Sequence, residues 1–186
     1  MWRPTLRGIH ANKGSIVIAI SGFGGSGKTT VAKEIAELLE DAVVVSLDDF
    51  FMDRLKQRSA NWASYDWQRL IDQMLRPTKE GATSISYDVY DWRANRLDPK
   101  RELDLPSYVI IEGVGLLQNG MDEYFDHTIW VDVPLEQAIE RGKRRDRDQY
   151  GVDHDALWEE VWGPNDSDYF HKHLPDQTAE YLVSNE

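Results

Sequence analysis

Apolar positions along the chain fall into two spacings. Unbroken runs at 16–21 ("IVIAIS"), 42–47 ("AVVVSL"), 108–113 ("YVIIEG") and 128–133 ("TIWVDV") have the length and composition of strands buried on both faces. Between them lie segments of helical period. In "KTTVAKEIAELLE" (28–40) the residues Val31, Ile35, Leu38 and Leu39 form one apolar face. The stretch "YDWQRLIDQML" (65–75) predicts a helix ended by Pro77, and "LEQAIERGKRRDR" predicts another that starts after Pro134. A last edge strand is expected at 181–183. Apolar strands alternating with helices indicate an α/β fold whose parallel sheet is covered on both faces, and such sheets bind ligands at the carboxyl ends of their strands.

The first strand runs directly into "GFGGSGKT", which satisfies G-x-x-x-x-G-K-[ST] with Gly22, Gly27, Lys28 and Thr29. Glycines at Gly22, Gly24, Gly25 and Gly27 let the backbone curl so that successive N–H groups and a helix N-terminus face a phosphate chain. Lys28 would then bridge the outer phosphates, and the Thr29 hydroxyl would ligate Mg²⁺. The competing reading is a flexible glycine hinge, which the flanking strand and helix disfavour.

Acids follow two other strands. Asp48 and Asp49 come after the second strand and would lie beside the loop if strand two neighbours strand one, and Glu112 ends the third. A carboxylate near a terminal phosphate can accept the proton of an attacking hydroxyl while another holds Mg²⁺. The bland alternative for Asp48 and Asp49 is a solvated turn or a helix N-cap.

Composition narrows the function further. The 186 residues carry a net charge of -12, which argues against general nucleic-acid binding. The basic residues Arg141, Lys143, Arg144, Arg145 and Arg147 nevertheless cluster in "ERGKRRDRD", a pattern that suits a small anion. With no cysteine, disulfides and thiolate metal sites are excluded. No apolar run approaches the roughly 20 residues of a membrane span, and "MWRPTLRGIHANKG" lacks a signal-peptide core, so a cytoplasmic protein without a membrane partner is expected. Trp158 and Trp162 read as packing anchors of a C-terminal helix, and His171 and His173 as a surface pair.

"GFGGSGKTT", "SLDDFF", "VYDW", "IIEGVGLL" and "RRDRD" occur in an order that resembles the uridine kinase-like branch of P-loop kinases, itself similar to nicotinamide riboside kinase, pantothenate kinase and phosphoribulokinase. The resemblance spans roughly residues 14–183. It implies a three-layer α/β/α P-loop fold with a mainly parallel sheet, residues 1–186 as one kinase domain, and a helical lid over about 141–152. By the same resemblance ATP and Mg²⁺ are the cofactors, with Gly22, Gly24, Gly25, Ser26, Gly27, Lys28, Thr29 and Thr30 around the nucleotide. Asp48 looks like the general base, and Thr29, Asp48 and Glu112 like the metal-side oxygens. Tyr90 and Asp91 match a pair beside the acceptor, the sugar-contact motif is partly matched by either "NWAS" or "SYDW" with Asp66 of the latter as its candidate, and Arg141 and Arg145 resemble the lid arginines. Arg144 and Arg147 compete for that last role. Two positions depart from the pattern: Asn95 stands where uridine kinases carry histidine, and Gly142 follows Arg141 where a second arginine is usual.

Two functions follow. One is an ATP-dependent phosphotransferase acting on a hydroxyl of a small molecule, with a nucleoside or ribosyl acceptor implied by resemblance. The other is a nucleotide-switched regulatory ATPase with no small-molecule acceptor.

Overall fold

All seven residues of β1 (Ile16–Gly22) are buried. Successive strand side chains point to opposite faces, so this strand is covered on both. In the computed structural model, which describes residues 14–52 and 64–185, β1 is the centre of a five-stranded parallel sheet. With β2 (Ala42–Ser46), β5 (Tyr108–Glu112), β6 (His127–Asp132) and β7 (Tyr181–Ser184), the order is β2-β5-β1-β6-β7. The edge strand expected at 181–183 is β7, paired with β6. The expectations on the N-terminal stretch and on Asn61, Trp62 and Ala63 lie outside the described residues.

The second strand is not next to the first. β5 lies between them, pairing with β1 through Ile20 and Glu112 and with β2 through Ser46 and Glu112. Burial explains the placement: four of the five residues of β5 are buried, whereas β2 has only Val45 buried and suits an edge.

Helix α1 (Lys28–Leu39) packs on β1, β2 and β5. Its buried stripe runs through Val31, Ala32 and Ile35, with Leu39 half-buried. Leu38, expected on that face, falls on its rim and is 70% exposed. Further along, α4 (Leu135–Tyr150) follows β6, and α5 (Asp155–Leu157), a π-turn (Trp158–Trp162) and α6 (Gly163–His173) form consecutive helical segments. Trp158 is fully buried and meets Trp162 edge to face at 4.9 Å, as packing anchors should. Phe23, Trp130, Tyr169 and Phe170 join the C-terminal segment to the sheet, with Phe23 and Trp130 5.1 Å apart and Trp130 and Phe170 5.7 Å apart. His171 is exposed and His173 takes the Asn119 N–H on Nδ1, and neither meets a metal-binding group among the described residues.

The helix expected to stop before Pro77 continues through it. α2 (Trp67–Leu70) opens into a π-turn (Ile71–Leu75) and closes as α3 (Arg76–Lys79), with Pro77 in the first turn of that last segment. The π-turn is the reason: the Arg76 N–H bonds Ile71 O, one residue further back than in an α-helix, and the widened turn accommodates a proline ring.

A two-stranded antiparallel sheet, β3 (Ser84–Asp91) with β4 (Arg96–Asp104), was not anticipated. Its register shifts between Tyr87 and Val89, and both the N–H and the carboxylate of the intervening Asp88 bond the Gln73 side-chain amide from the π-turn. Arg69 completes the junction. Its buried guanidinium donates to Phe51 O at 2.8 Å, to Asp49 O at 3.2 Å and to Asp88 O, and it lies 5.2 Å from the Phe50 ring centre. One side chain thus ties α2, the 3₁₀ turn Leu47–Phe50 and β3 together.

Arg69→Met would keep much of the packing but leave these carbonyls without a donor. We expect it to lower the unfolding free energy by about 3 kcal/mol. Urea denaturation checks this, and an unchanged midpoint would contradict the assigned role.

Candidate active site

At the carboxyl end of β1 the chain turns through the glycine-rich loop into α1. The N-cap Gly27 is left-handed at φ 92° and brings no side chain to the helix N-terminus, which is the positive end of the helix dipole. The loop also packs tightly against α4. A Cβ on Gly25, at φ 83°, would lie 2.2 Å from Ala138 O, so only glycine fits. Within the curl, the buried Ser26 Oγ has no hydrogen-bond partner among the described residues. Lys28 is 7% exposed, and its ammonium donates to Phe23 O at 2.7 Å, folding back across the loop. These features form an anion cradle of backbone and lysine donors.

Two acids reach this point from different strands. Glu112 ends β5, the strand next to β1, and its Oε1 accepts the Thr29 hydroxyl at 3.2 Å. Burial pushes its carboxyl pKa up, the Asp48 charge adds to the rise, and Lys28 with the Thr29 and Ser46 hydroxyls opposes it. Asp48 stands one strand further out, exposed, in the 3₁₀ turn whose first N–H groups are capped by Ser46. Its Oδ1 accepts the Tyr65 hydroxyl at 2.8 Å. The N-cap is therefore Ser46 and not Asp48. Asp49 turns the other way, to Arg101 at 2.9 Å and the Tyr87 hydroxyl at 3.4 Å, and burial raises its pKa.

Thr29 and Glu112 offer hard oxygen donors beside the cradle, and Asp48 lies across from them. That set fits Mg²⁺, which takes one or two protein oxygens and completes its shell with phosphate and water. Among the described residues no three His, Asp or Glu side chains form a cage of their own.

Beyond Asp48 lies an aromatic cluster in which Phe51, Tyr65 and Tyr90 are buried and Trp92 is exposed. Tyr65 and Phe51 meet edge to face at 5.6 Å, and Phe51 contacts Tyr90 at 5.3 Å and Trp92 at 4.5 Å. The buried Tyr90 donates its hydroxyl to Asn95 Oδ1, so the position that departs from the histidine pattern is joined to the expected tyrosine. Asp91 and Asp66 serve backbone geometry. Asp91 Oδ1 accepts the Arg93 and Ala94 N–H groups at 2.7 and 3.0 Å in the hairpin turn, which holds its pKa down. Asp66 caps α2 by accepting the Arg69 N–H at 3.0 Å.

The arginines of α4 separate. Arg141 is on the turn packed against the loop, and its Nη1 donates to Asn185 O at 2.6 Å, while Asn185 Nδ2 donates to Ser26 O at 2.8 Å. Arg145, one turn on, pairs with the buried Asp146 at 2.9 Å and lies over the Trp158 and Tyr150 rings. Arg147 is held by Asp155 at 2.7 Å, and Arg144 is exposed. Sequence reasoning missed Tyr65, Asn185 and Asp166, whose Oδ2 accepts the Gly24 N–H of the loop at 2.7 Å. Tyr65 adjoins a noticed motif, but Asp166 and Asn185 are 142 and 159 residues from their loop partners and carry no local signal.

The chain is similar to known proteins. The uridine kinase of Clostridium botulinum (strain 657 / Type Ba4) is 29% identical over 157 residues, covering 78% of this chain and 75% of that protein. A solved structure described as a possible uridine kinase from Bacillus stearothermophilus superposes with TM-score 0.69 at 20% identity, covering 94% of this chain and 91% of that one. The D-glycerate 3-kinase of Cryptococcus neoformans gives TM-score 0.60 at 11% identity, covering 92% and 86%, so the P-loop kinase fold is shared well beyond recognisable sequence. The model of the phosphoribulokinase / uridine kinase family matches residues 17–177, from β1 to α7 (Pro175–Thr178), and the chain therefore belongs to that family of P-loop small-molecule kinases.

Proposed function

We propose that the protein transfers the γ-phosphate of ATP to a hydroxyl of a small molecule, and that the acceptor is a nucleoside or ribosyl compound. The observation that carries this reading is the position of Asp48. It stands beside Glu112, whose pKa its charge raises, and its Oδ1 accepts the Tyr65 hydroxyl at the edge of the cluster of Phe51, Tyr65, Tyr90 and Trp92, in which Trp92 is the exposed ring. A flat ring on the acceptor would pack against Trp92 while its hydroxyl approached the carboxylate. A regulatory ATPase needs no such place for an acceptor. The uridine kinase activity named for the bacterial relatives points the same way.

In this reading the loop N–H groups and Lys28 hold the phosphates, with the lysine exchanging Phe23 O for phosphate oxygen. Thr29, Asp48 and Glu112 would hold Mg²⁺. When bound, the ion would neutralise charge on the outer phosphate oxygens. Asp48 takes the proton of the acceptor hydroxyl as its oxygen attacks phosphorus, while the Tyr65 hydroxyl orients the carboxylate. Arg141 lies on the α4 turn nearest the loop and is placed to meet phosphoryl charge. Arg145 must leave Asp146 to do so. The segment around 141–152 would act as the lid of a single kinase domain.

The direct test is Mg²⁺-ATP consumption with uridine, cytidine, nicotinamide riboside and non-aromatic alcohols as acceptors. ADP release should depend on a ring-bearing acceptor and yield its phosphate ester. Hydrolysis that no acceptor stimulates would overturn the reading. Asp48→Asn should lower kcat by about 10²–10⁴-fold with Mg²⁺-ATP affinity largely kept, as stopped-time assays and calorimetry would show. A third expectation concerns pH. Because the pKa of Glu112 is raised, it gains a proton at a pH where an ordinary glutamate is still ionised, and a protonated carboxyl ligates metal poorly. The Mg²⁺ concentration needed for half-maximal rate should therefore climb as pH falls, beginning above the usual glutamate range. Glu112→Gln should need more Mg²⁺ at every pH and lose that slope.

A further inference from the structure

The phosphate loop is held from beneath as well as from the side of its ligand. Asp166, on α6, is fully buried, and its carboxylate accepts the Gly24 N–H at 2.7 Å. Trp158, also fully buried, lies between the loop and α4. A Cβ on Gly24 would come within 2.9 Å of the indole Cη2, and one on Gly142 within 2.3 Å of Cζ2. The indole N–H donates to Asp146 Oδ2 at 2.8 Å, and the other oxygen of that carboxylate holds Arg145. Gly142, the residue that replaces the usual second arginine, is therefore the gap that admits the indole ring. A continuous packed path runs from Gly24 through Trp158 to the helix that carries Arg141 and Arg145.

The hydrogen bond that the Gly24 N–H donates to this carboxyl oxygen lies inside a buried site and is weakly screened. Its effect here is to fix the Phe23–Gly24 peptide and with it the direction of the N–H groups that follow. Preorganised donors bind an anion without the cost of ordering the loop first. The indole meets both Gly24 and Gly142 and, with the direct contact of Gly25 on Ala138, fixes how the loop sits against α4.

We infer that Asp166 and Trp158 are positioning residues for phosphate binding, acting through Gly24 and Gly142 and touching no substrate. The inference rests on the proposal that the loop binds Mg²⁺-ATP, and two measurements separate the failures. Hydrogen exchange of the Gly22–Thr30 amides in nucleotide-free protein reads the strut alone. Calorimetric titration with Mg²⁺-ATP reads its consequence.

Asp166→Ala should speed exchange across the loop and weaken Mg²⁺-ATP binding at least about tenfold, whereas Asp166→Asn, which keeps an acceptor oxygen, should bind within about threefold of the parent. Equal binding by the parent and a folded Asp166→Ala protein, or an Asn variant as weak as a folded Ala variant, would overturn the role of Asp166. Should Asp166→Ala not fold, a cycle at the other contact decides. Gly24→Ala should weaken binding because its methyl meets the indole, and Gly24→Ala with Trp158→Phe should recover most of the loss. A double variant no better than Gly24→Ala would overturn the strut. If the parent binds no Mg²⁺-ATP, the proposed function fails while loop exchange still tests the strut, and unchanged exchange in Asp166→Ala overturns it.

Discussion

The N–H groups in the first turn of α1, which begins on a glycine N-cap, are the constraint around which the rest of the structure is arranged. They stand at the end of a strand buried along its whole length, so they cannot shift without disturbing the core. A helix N-terminus without a capping side chain is a fixed positive end, and here Lys28 adds a full charge to it. That charge is what makes a buried Glu112 tolerable next door: the ammonium and the Thr29 hydroxyl offset part of the cost of desolvating the carboxylate.

Everything that touches the loop limits its freedom. Ala138 O leaves no space for a side chain at Gly25, Asp166 bonds the Gly24 N–H, and Asn185 bonds Ser26 O while holding Arg141. The surroundings of Asp48 are built separately. Arg69 gathers three carbonyls at the junction of the β2 turn, α2 and the hairpin, and the aromatic rings pack around that junction. Asp48 belongs to the turn between the two halves.

The phosphate loop and the alternation of strands and helices were readable because both depend on residues close together in sequence. Asp48 and Glu112 were found as acids at strand ends without knowledge of strand order, and the condition that strand two neighbours strand one is not met. β5 separates β2 from β1, which gives Glu112 the direct contact with Thr29 and leaves Asp48 further out. Period was the weaker guide elsewhere. The alternation in "SISYDVYD" carried a strand signal that went unread, and a π-turn carried the helix past Pro77.

The chain by itself determined that a strand ends in an anion-binding loop, that acids follow two other strands, and that arginines cluster on one helix, since each is a pattern of neighbouring residues. Tertiary structure alone decided that Arg141 is tied through Asn185 to the loop, that Asp91 and Asp66 hold backbone turns, that Gly142 makes room for Trp158, and that Asp166 accepts the Gly24 N–H. These depend on contacts between residues far apart along the chain, and a buried carboxylate that meets one distant N–H leaves no periodic or local trace in sequence.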